Sequence, residues 1–291
     1  MLPNRPFTRL WHSPAVRNVR HLASADRWYR YLSARLRRAP DYLVAGAQKS
    51  GTTSLWAYLS EHPHVEPPMV KEMSFFDNNF HRGLDWYRMH FPLSKPNCGS
   101  KTLTGESTAY YMFHPLAPAR IARTLPDVKV ILLLRNPIDR AYSHYQLKIR
   151  RGQEHLSFHD AIAAEGKRLE GEHEKLLADP RYHSAAHERH SYLARGVYVD
   201  QIVRWQQHFS ADQLLILESS ALFQNTEETF EQVLKFLGLP GGWRPQQFGN
   251  RFPGRYVEKM EAETRRKLID YFAPHNARLY AHLGTMFDWD R

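Results

Sequence analysis

The feature that most constrains this chain is the stretch Asp41–Leu55, DYLVAGAQKSGTTSL. An apolar run over 42–45 predicts a buried strand. Gly46 and Gly51 frame the loop that follows, and a helix with hydroxyl side chains in its first turn comes next. A strand, a glycine-framed loop and a helix N-terminus form a cradle of backbone N–H groups for an anion, which the helix dipole also favours. The stretch therefore predicts a phosphate site.

The position of the lysine separates this loop from that of P-loop nucleotide triphosphatases. Those enzymes carry Lys and then Ser or Thr directly after the second glycine, and the hydroxyl holds magnesium. Here Thr52 follows Gly51, and the lysine, Lys49, lies inside the loop. The loop thus predicts a phosphate site that differs from the ATP-binding loop of those enzymes. A glycine turn that binds nothing is the alternative.

A second candidate site follows the aliphatic run 128–134, VKVILLL. Such a run is expected of a parallel strand buried on both faces. The chain continues with Asn136, which can cap a helix, and Pro137, which suits a first turn. Arg135 would lie at the carboxyl end of the strand, where α/β sheets bind ligands, and its planar guanidinium can bind two phosphate oxygens. Pairing of Arg135 with Asp139 is the alternative.

The two motifs together resemble the donor site of the sulfotransferases that use 3′-phosphoadenosine 5′-phosphosulfate (PAPS). QKSGTTS over 48–54 is similar to their 5′-phosphosulfate loop, and LLRNPxxRAxSxY over 133–145 is similar to their 3′-phosphate site. The resemblance implies that Lys49 is catalytic, because it neutralises charge on the leaving phosphate. The implied donor-binding residues are Lys49, Ser50, Gly51, Thr52, Thr53, Ser54, Arg135, Ser143 and Arg255. An ordinary loop arginine is the alternative for the last of these.

A third motif, KEMSFFD over 71–77, resembles a segment of the carbohydrate sulfotransferases, particularly the heparan sulfate type. A carboxylate beside an apolar aromatic pair can act as a general base, because burial favours proton uptake near the working pH. The resemblance implies that Glu72 takes the acceptor proton and that Asp77 and Ser107 bind the acceptor. A surface pair of Lys71 with Glu72 is the alternative.

The chain departs from the heparan 3-O-sulfotransferases at three positions. Thr53, Ser74 and Ser107 stand where those enzymes usually carry arginine, histidine and lysine. Such basic groups help to hold a polyanionic glycan, so their absence weakens the case for heparan sulfate as acceptor. We expect a hydroxyl-bearing acceptor, a glycan or glycolipid, and no nucleic-acid partner. Small alcohols and phenols stay open.

We expect a three-layer α/β, P-loop-like fold with a central, mainly parallel sheet flanked by helices. A chain of 291 residues with 42% hydrophobic content can bury one sizeable core. The resemblance extends over residues 40–291, which are predicted to form the sulfotransferase domain. The single cysteine, Cys98, allows no intrachain disulfide and suits a reducing compartment.

Residues 1–39 are predicted to form a basic arm. They carry nine arginines, no lysine and one acid, Asp26, so nine minus one gives +8 of the total net charge of +10. Interleaved aromatic and aliphatic residues suggest an amphipathic segment that lies on a membrane surface or directs the chain to an organelle. A helix packed on the domain with a solvated arginine face is the alternative. No run approaches the roughly 18 apolar residues of a membrane span, so we expect no N-terminal anchor of the kind that the animal Golgi members of the family have. We therefore expect a cytoplasmic protein with peripheral membrane contact through the arm.

Three histidines, His183, His187 and His190, have a spacing that could ligate zinc on a helix. No carboxylate–histidine hydrolase pattern accompanies them, so we expect no metal and interpret 158–190 as an insertion beside the acceptor cleft. Two other functions stay open. A P-loop kinase-like phosphotransferase should need magnesium and a lysine after Gly51. A non-catalytic protein could bind nucleotides or anionic lipids through the basic arm.

Overall fold

The computed structural model describes residues 24–94, 102–249 and 259–289. Within these ranges four strands form one sheet in the order β2–β1–β3–β4, and all neighbouring strands are parallel. The strands are β1 Tyr42–Gly46, β2 Gly105–Ser107, β3 Lys129–Leu134 and β4 Leu214–Glu218. The predicted strands at 42–45 and 128–134 are confirmed.

Helices connect the strands and cover both faces of the sheet. The described α-helices are α1 Ser24–Leu32, α2 Thr52–Glu61, α3 Leu84–Arg88, α4 Ala117–Thr124, α5 Pro137–Arg150, α6 Phe158–Ala163, α7 Glu165–Leu169, α8 Glu172–Ala178, α9 Ala185–Arg189, α10 Tyr198–Gln206, α11 Ser219–Gln224, α12 Thr226–Leu237 and α13 Ala262–Leu283. Short 3₁₀ turns lie at Ala34–Leu36, Phe80–Arg82 and Ala194–Gly196.

The sheet lies between two hydrophobic cores, because successive strand residues point to opposite faces. On one face, Val130 and Leu132 of β3 pack in a cluster with Trp205 of α10 and Leu279 of α13. On the other face the intervening residues of β3 pack with side chains of α2 and α12: Ile131, Leu133, Tyr58, Leu59, Phe230 and Leu234. This three-layer arrangement confirms the predicted α/β fold class.

The carboxyl ends of the parallel strands share one edge of the sheet. The loop that begins α2 follows β1, and Arg135 and then α5 follow β3 directly. Asn136 caps α5 as predicted: its Oδ1 accepts hydrogen bonds from the backbone N–H groups of Ile138, at 3.0 Å, and Asp139, at 3.4 Å. Two helix N-termini with positive dipole ends therefore converge on this edge.

The described part of the basic arm is attached to the domain through its arginines. The guanidinium of Arg30 donates to the carbonyl oxygens of Met89 and Phe91, at 2.9 and 3.3 Å, and Arg37 also donates to Phe91 O, at 2.9 Å. Arg38 pairs with Asp41 at 2.7 Å. The arginines of residues 24–39 therefore do not form one solvated face. The boundary between arm and domain at residue 39 stays a prediction.

Candidate active site

The loop after β1 turns its lysine through a left-handed backbone conformation. Lys49 has φ of 73° and Gly51 has φ of 92°. Gly51 is required twice over, because it adopts a positive φ and because an added Cβ would lie 2.9 Å from the Phe223 ring. The carbonyl of Gly51 then accepts from Ser54 N at 2.9 Å as α2 begins.

A cleft of ≈ 1110 Å³ opens at the carboxyl edge of the sheet. The residues predicted from sequence that line it are Lys49, Gly51, Thr52, Thr53, Ser54, Glu72, Arg135 and Ser143. The structure thus brings three separate sequence motifs to one surface. Ser50 belongs to the predicted donor loop, but its side chain is fully buried and does not line the cleft. Arg255 lies outside the described residues.

Arg135 is fixed to the loop after β1. Its Nη1 donates to the carbonyl oxygen of Lys49 at 3.0 Å. The alternative pairing of Arg135 with Asp139 is wrong, because Asp139 pairs with Arg265 at 2.8 Å. The guanidinium therefore ties the ends of the two central strands together and faces the cleft beside Ser143.

Helix α5 presents a stripe of side chains to the cleft. Asp139, Ser143, Leu147 and Arg151 recur every four residues and all line it. The C-terminal segment covers the neighbouring wall, where Trp289 donates from Nε1 to Glu218 Oε1 at 2.8 Å. Sequence reasoning missed Arg151, which directly follows α5, although its spacing of eight residues from Ser143, two steps of four, carried the signal.

The electrostatic environment of Lys49 is strongly cationic. Burial, together with the positive charges of Arg150, Arg135 and Arg151, lowers the pKa of Lys49 to about 8. The negative charge of Glu72 raises this pKa. Such a concentration of positive charge in a partly buried site favours a polyanionic ligand, whose binding relieves the repulsion.

Glu72 also lines the cleft and is more exposed than expected. Its side chain is 58% accessible, whereas that of Lys71 is 7% accessible. The expected burial of Glu72 beside the aromatic pair is wrong, because Phe75 and Phe76 turn into the core while the carboxylate faces the cleft. Lys71 Nζ donates to Glu72 Oε1 at 3.0 Å.

Asp77 and Ser107, predicted to bind the acceptor, do not reach the cleft surface. Both side chains are buried, and neither lines the cleft. Burial raises the pKa of Asp77 to about 7. Oδ1 of Asp77 accepts from the N–H of Asn78, and Oδ2 has no hydrogen-bond partner among the described residues. Direct acceptor contact by either residue would require the segments above them to move.

A buried carboxyl group supports the wall that carries Glu72. Glu106 Oε1 accepts from the hydroxyl of Tyr87 at 2.6 Å and from that of Tyr111 at 2.9 Å. Tyr111 in turn accepts from the N–H of Phe75 at 2.8 Å. Burial raises the pKa of Glu106 to about 7, although these hydroxyl donors act against the rise.

The three spaced histidines have separate partners. His183 contacts Glu188 at 2.6 Å, and His187 contacts the hydroxyl of Tyr110 at 2.8 Å. His190 lies 3.3 Å from Glu154. No group of three or more metal-ligating side chains occurs in the described part of the chain. Nor does any described helix have both the length and the apolar character needed to cross a bilayer.

Comparison with known proteins decides the family. A family model for the sulfotransferase domain matches residues 39–272. The chain belongs to the PAPS-dependent sulfotransferase family. The prediction made from the three motifs is thereby confirmed, and the kinase-like alternative does not fit.

The similar proteins differ from this chain in length. Bifunctional heparan sulfate N-deacetylase/N-sulfotransferase 2 of Bos taurus is 31% identical over 279 residues, which are 86% of this chain and 30% of that protein. The Caenorhabditis elegans N-deacetylase/N-sulfotransferase 1 is 28% identical, over 95% of this chain and 33% of that protein. The chain thus spans about a third of the length of these curated relatives.

A solved structure gives the same fold over its whole length. The sulfotransferase from Alicyclobacillus acidocaldarius is 27% identical, with a TM-score of 0.67. The match covers 87% of this chain and 100% of that one. Its similarity extends the agreement from the sequence motifs to the arrangement of sheet and helices.

Proposed function

We propose that this protein transfers the sulfuryl group of PAPS to an acceptor hydroxyl of a carbohydrate or glycolipid. One observation carries the proposal: Lys49 and Arg135, from the loops after β1 and β3, face the same cleft with the hydroxyl-bearing Thr53 and Ser143. PAPS is a polyanion with phosphate at both ends of its ribose. Two cations joined by a 3.0 Å hydrogen bond from Arg135 to the Lys49 carbonyl fit such a ligand.

The donor would be held by the loop after β1 and by the residues that follow β3. Among the backbone N–H groups of residues 50–54, those of Gly51, Thr52 and Thr53 would bind the 5′-phosphate at the N-terminus of α2. Arg135 and Ser143 would bind the 3′-phosphate, with the guanidinium donating to two oxygens. The N–H of Ser50 donates to the carbonyl oxygen of Ala47 at 3.2 Å, and that of Ser54 donates to Gly51 O at 2.9 Å, so both already have a backbone acceptor.

In the proposed reaction the acceptor oxygen attacks sulfur while the bond from sulfur to the 5′-phosphate oxygen breaks. Glu72 would accept the acceptor proton, since its exposed carboxylate faces the cleft. Lys49 would neutralise the charge that develops on the leaving oxygen. Its pKa of about 8 leaves it mainly protonated at neutral pH. Positioning and preorganised charge supply catalysis of this type.

An amine acceptor is a second candidate. Relatives at 31% identity are named as heparan sulfate N-sulfotransferases, and in such a reaction the acceptor atom is nitrogen. Glu72 could serve either acceptor, because an alcohol and an ammonium ion both have to lose a proton. A glucosamine-containing polysaccharide offers both atoms on one sugar.

The test is transfer of radiolabelled sulfate from PAPS to this polysaccharide in two forms. The N-acetylated form offers only hydroxyl groups, and the free-amine form offers both. Label on both forms, resistant to nitrous acid, supports hydroxyl transfer. Label on the free-amine form alone supports the second candidate. No label on these glycans or on glycolipids, with PAPS still bound, would contradict a carbohydrate or glycolipid acceptor and leave small alcohols and phenols.

We also propose that the basic arm contacts an anionic membrane surface. Trp28, Leu32 and Leu36 are 65%, 77% and 68% exposed and recur every four residues, with exposed Arg27 and Arg35 beside them. Apolar side chains interleaved with arginine suit a lipid interface. A peripheral protein of the cytoplasm stays our prediction for its location.

Binding to vesicles tests the membrane contact. The Trp28→Ser/Leu32→Ser double variant should lose cosedimentation with vesicles of anionic lipid and keep turnover of a soluble acceptor. Met286→Ser removes an equally exposed apolar side chain outside the arm and should bind vesicles as the wild type does. Retained, salt-insensitive vesicle binding by the double variant would contradict the proposal.

A further inference from the structure

Lys71 connects the loop after β1 with Glu72. Its Nζ donates to Thr53 Oγ1 at 2.9 Å and to Glu72 Oε1 at 3.0 Å. Thr53 belongs to the first turn of α2, within the proposed donor loop, and Glu72, the proposed base, lines the same cleft. We propose that Lys71 is a positioning residue that couples the donor loop to the proton-accepting carboxylate. This inference rests on the proposed function of the cleft.

The environment of Lys71 suits such a role. Its side chain is 7% accessible, and its carbonyl oxygen accepts from the N–H of Ser107 on β2 at 3.3 Å. The ammonium is thus held at a fixed place by its surroundings. Glu72, whose side chain is 58% accessible, has no comparable packing and would otherwise sample several rotamers. The buried ammonium group of Lys71 therefore restricts the rotamers of the exposed Glu72 side chain.

Through the contact with Thr53, donor binding can affect the position of Lys71 and Glu72. The backbone N–H of Thr53 belongs to the proposed phosphate cradle, and its hydroxyl accepts from Lys71. A donor molecule seated in the cradle fixes Thr53, and Thr53 then fixes Lys71 and Glu72. Water screens the pairing at Glu72, whose side chain is 58% accessible, so the expected role of this pair is orientation of Glu72 rather than stabilisation of the fold.

A double-mutant cycle with Glu72 tests the inference. Lys71→Met keeps the length of the side chain and removes its charge and donors. We expect kcat to fall about 10- to 100-fold, the usual cost of a misplaced catalytic group. Affinity for 3′-phosphoadenosine 5′-phosphate (PAP), measured by calorimetry, should change by no more than about threefold. Lys71→Arg should restore part of the rate.

The cycle separates positioning from direct action on the donor. In a Glu72→Gln background, Lys71→Met should cost less than about threefold more, because both changes act through one carboxylate. A second full loss of rate in the double variant, or loss of PAP affinity equal to the loss of rate, would make Lys71 a donor ligand and overturn the inference. Lys175→Met is the matched control, since it breaks a lysine–glutamate pair outside the cleft.

A spectroscopic measurement keeps this inference separate from the proposed reaction. The carboxyl ¹³C resonance of Glu72, assigned by its absence in Glu72→Gln, should shift when PAP is added to the wild type. The shift should be absent in Lys71→Met. This result would support the coupling even if no acceptor is sulfated, which would count against the proposed function alone. An equal shift in Lys71→Met would overturn the coupling.

Discussion

The two walls of the cleft are built in different ways. We call the part of the cleft lined by Lys49 and Arg135 the donor wall, after its proposed role. Both residues lie within three residues of a strand end, so the parallel sheet places them. We call the part of the cleft that carries Glu72 the acceptor wall, after its proposed role. Glu72 lies in the connection between α2 and β2 and does not directly follow a strand. A side-chain network supports it, in which Tyr111 connects the N–H of Phe75 to Glu106.

This difference explains how each wall should respond to mutation. Backbone placement makes the donor wall tolerant of changes elsewhere, because the sheet keeps the loop in position. The acceptor wall depends on side chains such as Lys71 and Glu106, so substitutions that do not touch substrate should still disturb it. The predictions below compare the two walls.

The largest effect is expected on the acceptor wall at Glu72. Glu72→Gln keeps the shape of the side chain and removes the base, so turnover should fall roughly 10²–10⁴-fold. Affinity for PAP should stay close to that of the wild type, because the carboxylate does not belong to the donor wall. Steady-state kinetics and calorimetry check the two parts. Retained turnover in Glu72→Gln together with an inactive Asp77→Asn would move the base to Asp77.

The next effect is expected on the donor wall at Lys49. Lys49→Ala should lower kcat by about 10²–10³-fold, the usual cost of one preorganised group that stabilises developing charge. Unlike Glu72→Gln, it should also weaken PAP binding, because the ammonium faces the donor in the ground state. Lys49→Arg, which keeps the charge, is the control and should bind PAP better than Lys49→Ala does. Unchanged PAP affinity in Lys49→Ala would remove this lysine from the donor wall.

A smaller effect concerns stability, through the buried carboxyl group of Asp77. Its pKa in the folded protein is raised to about 7 by burial, above the value of about 3.9 expected when unfolded. The folded state therefore binds the extra proton, and the stabilisation present below about pH 4 is lost as pH rises through about 7. Between about pH 5 and pH 8 the loss should be about 2–3 kcal/mol.

Asp77→Asn isolates this contribution from that of Glu106. Denaturant unfolding of the variant should show a free energy that falls less than that of the wild type between about pH 5 and pH 8, by the 2–3 kcal/mol given above. Equal pH dependence in the two proteins would show that Asp77 does not take up the proton and would contradict its raised pKa.

The position of Arg135 at the carboxyl edge of the sheet could be predicted from the sequence for a physical reason. A continuous aliphatic run identifies a buried parallel strand, and the residue after it must lie at the carboxyl edge, so Arg135 could be placed without tertiary information. The cap at Asn136 is equally local. The family resemblance implied the role of Lys49, which is to neutralise charge on the leaving phosphate.

The acceptor wall could not be placed in the same way. Whether Glu72 or Asp77 faces the cleft depends on how the segment 71–77 turns over Tyr111 and Glu106, which are distant in sequence. The resemblance supplied a role for Asp77 that its burial does not support. The contact from Lys71 to Thr53 joins residues 18 apart and has no periodic signal.

The most direct test of the account is whether the donor wall binds a 3′-phosphate through Arg135. Calorimetry should show that the wild type binds PAP about 10- to 150-fold more tightly than AMP, which lacks that phosphate; this equals about 1.5–3 kcal/mol for a charge-assisted contact. In Arg135→Ala the difference between the two nucleotides should nearly vanish, while AMP affinity changes little. Equal affinity of the wild type for PAP and AMP would contradict the account.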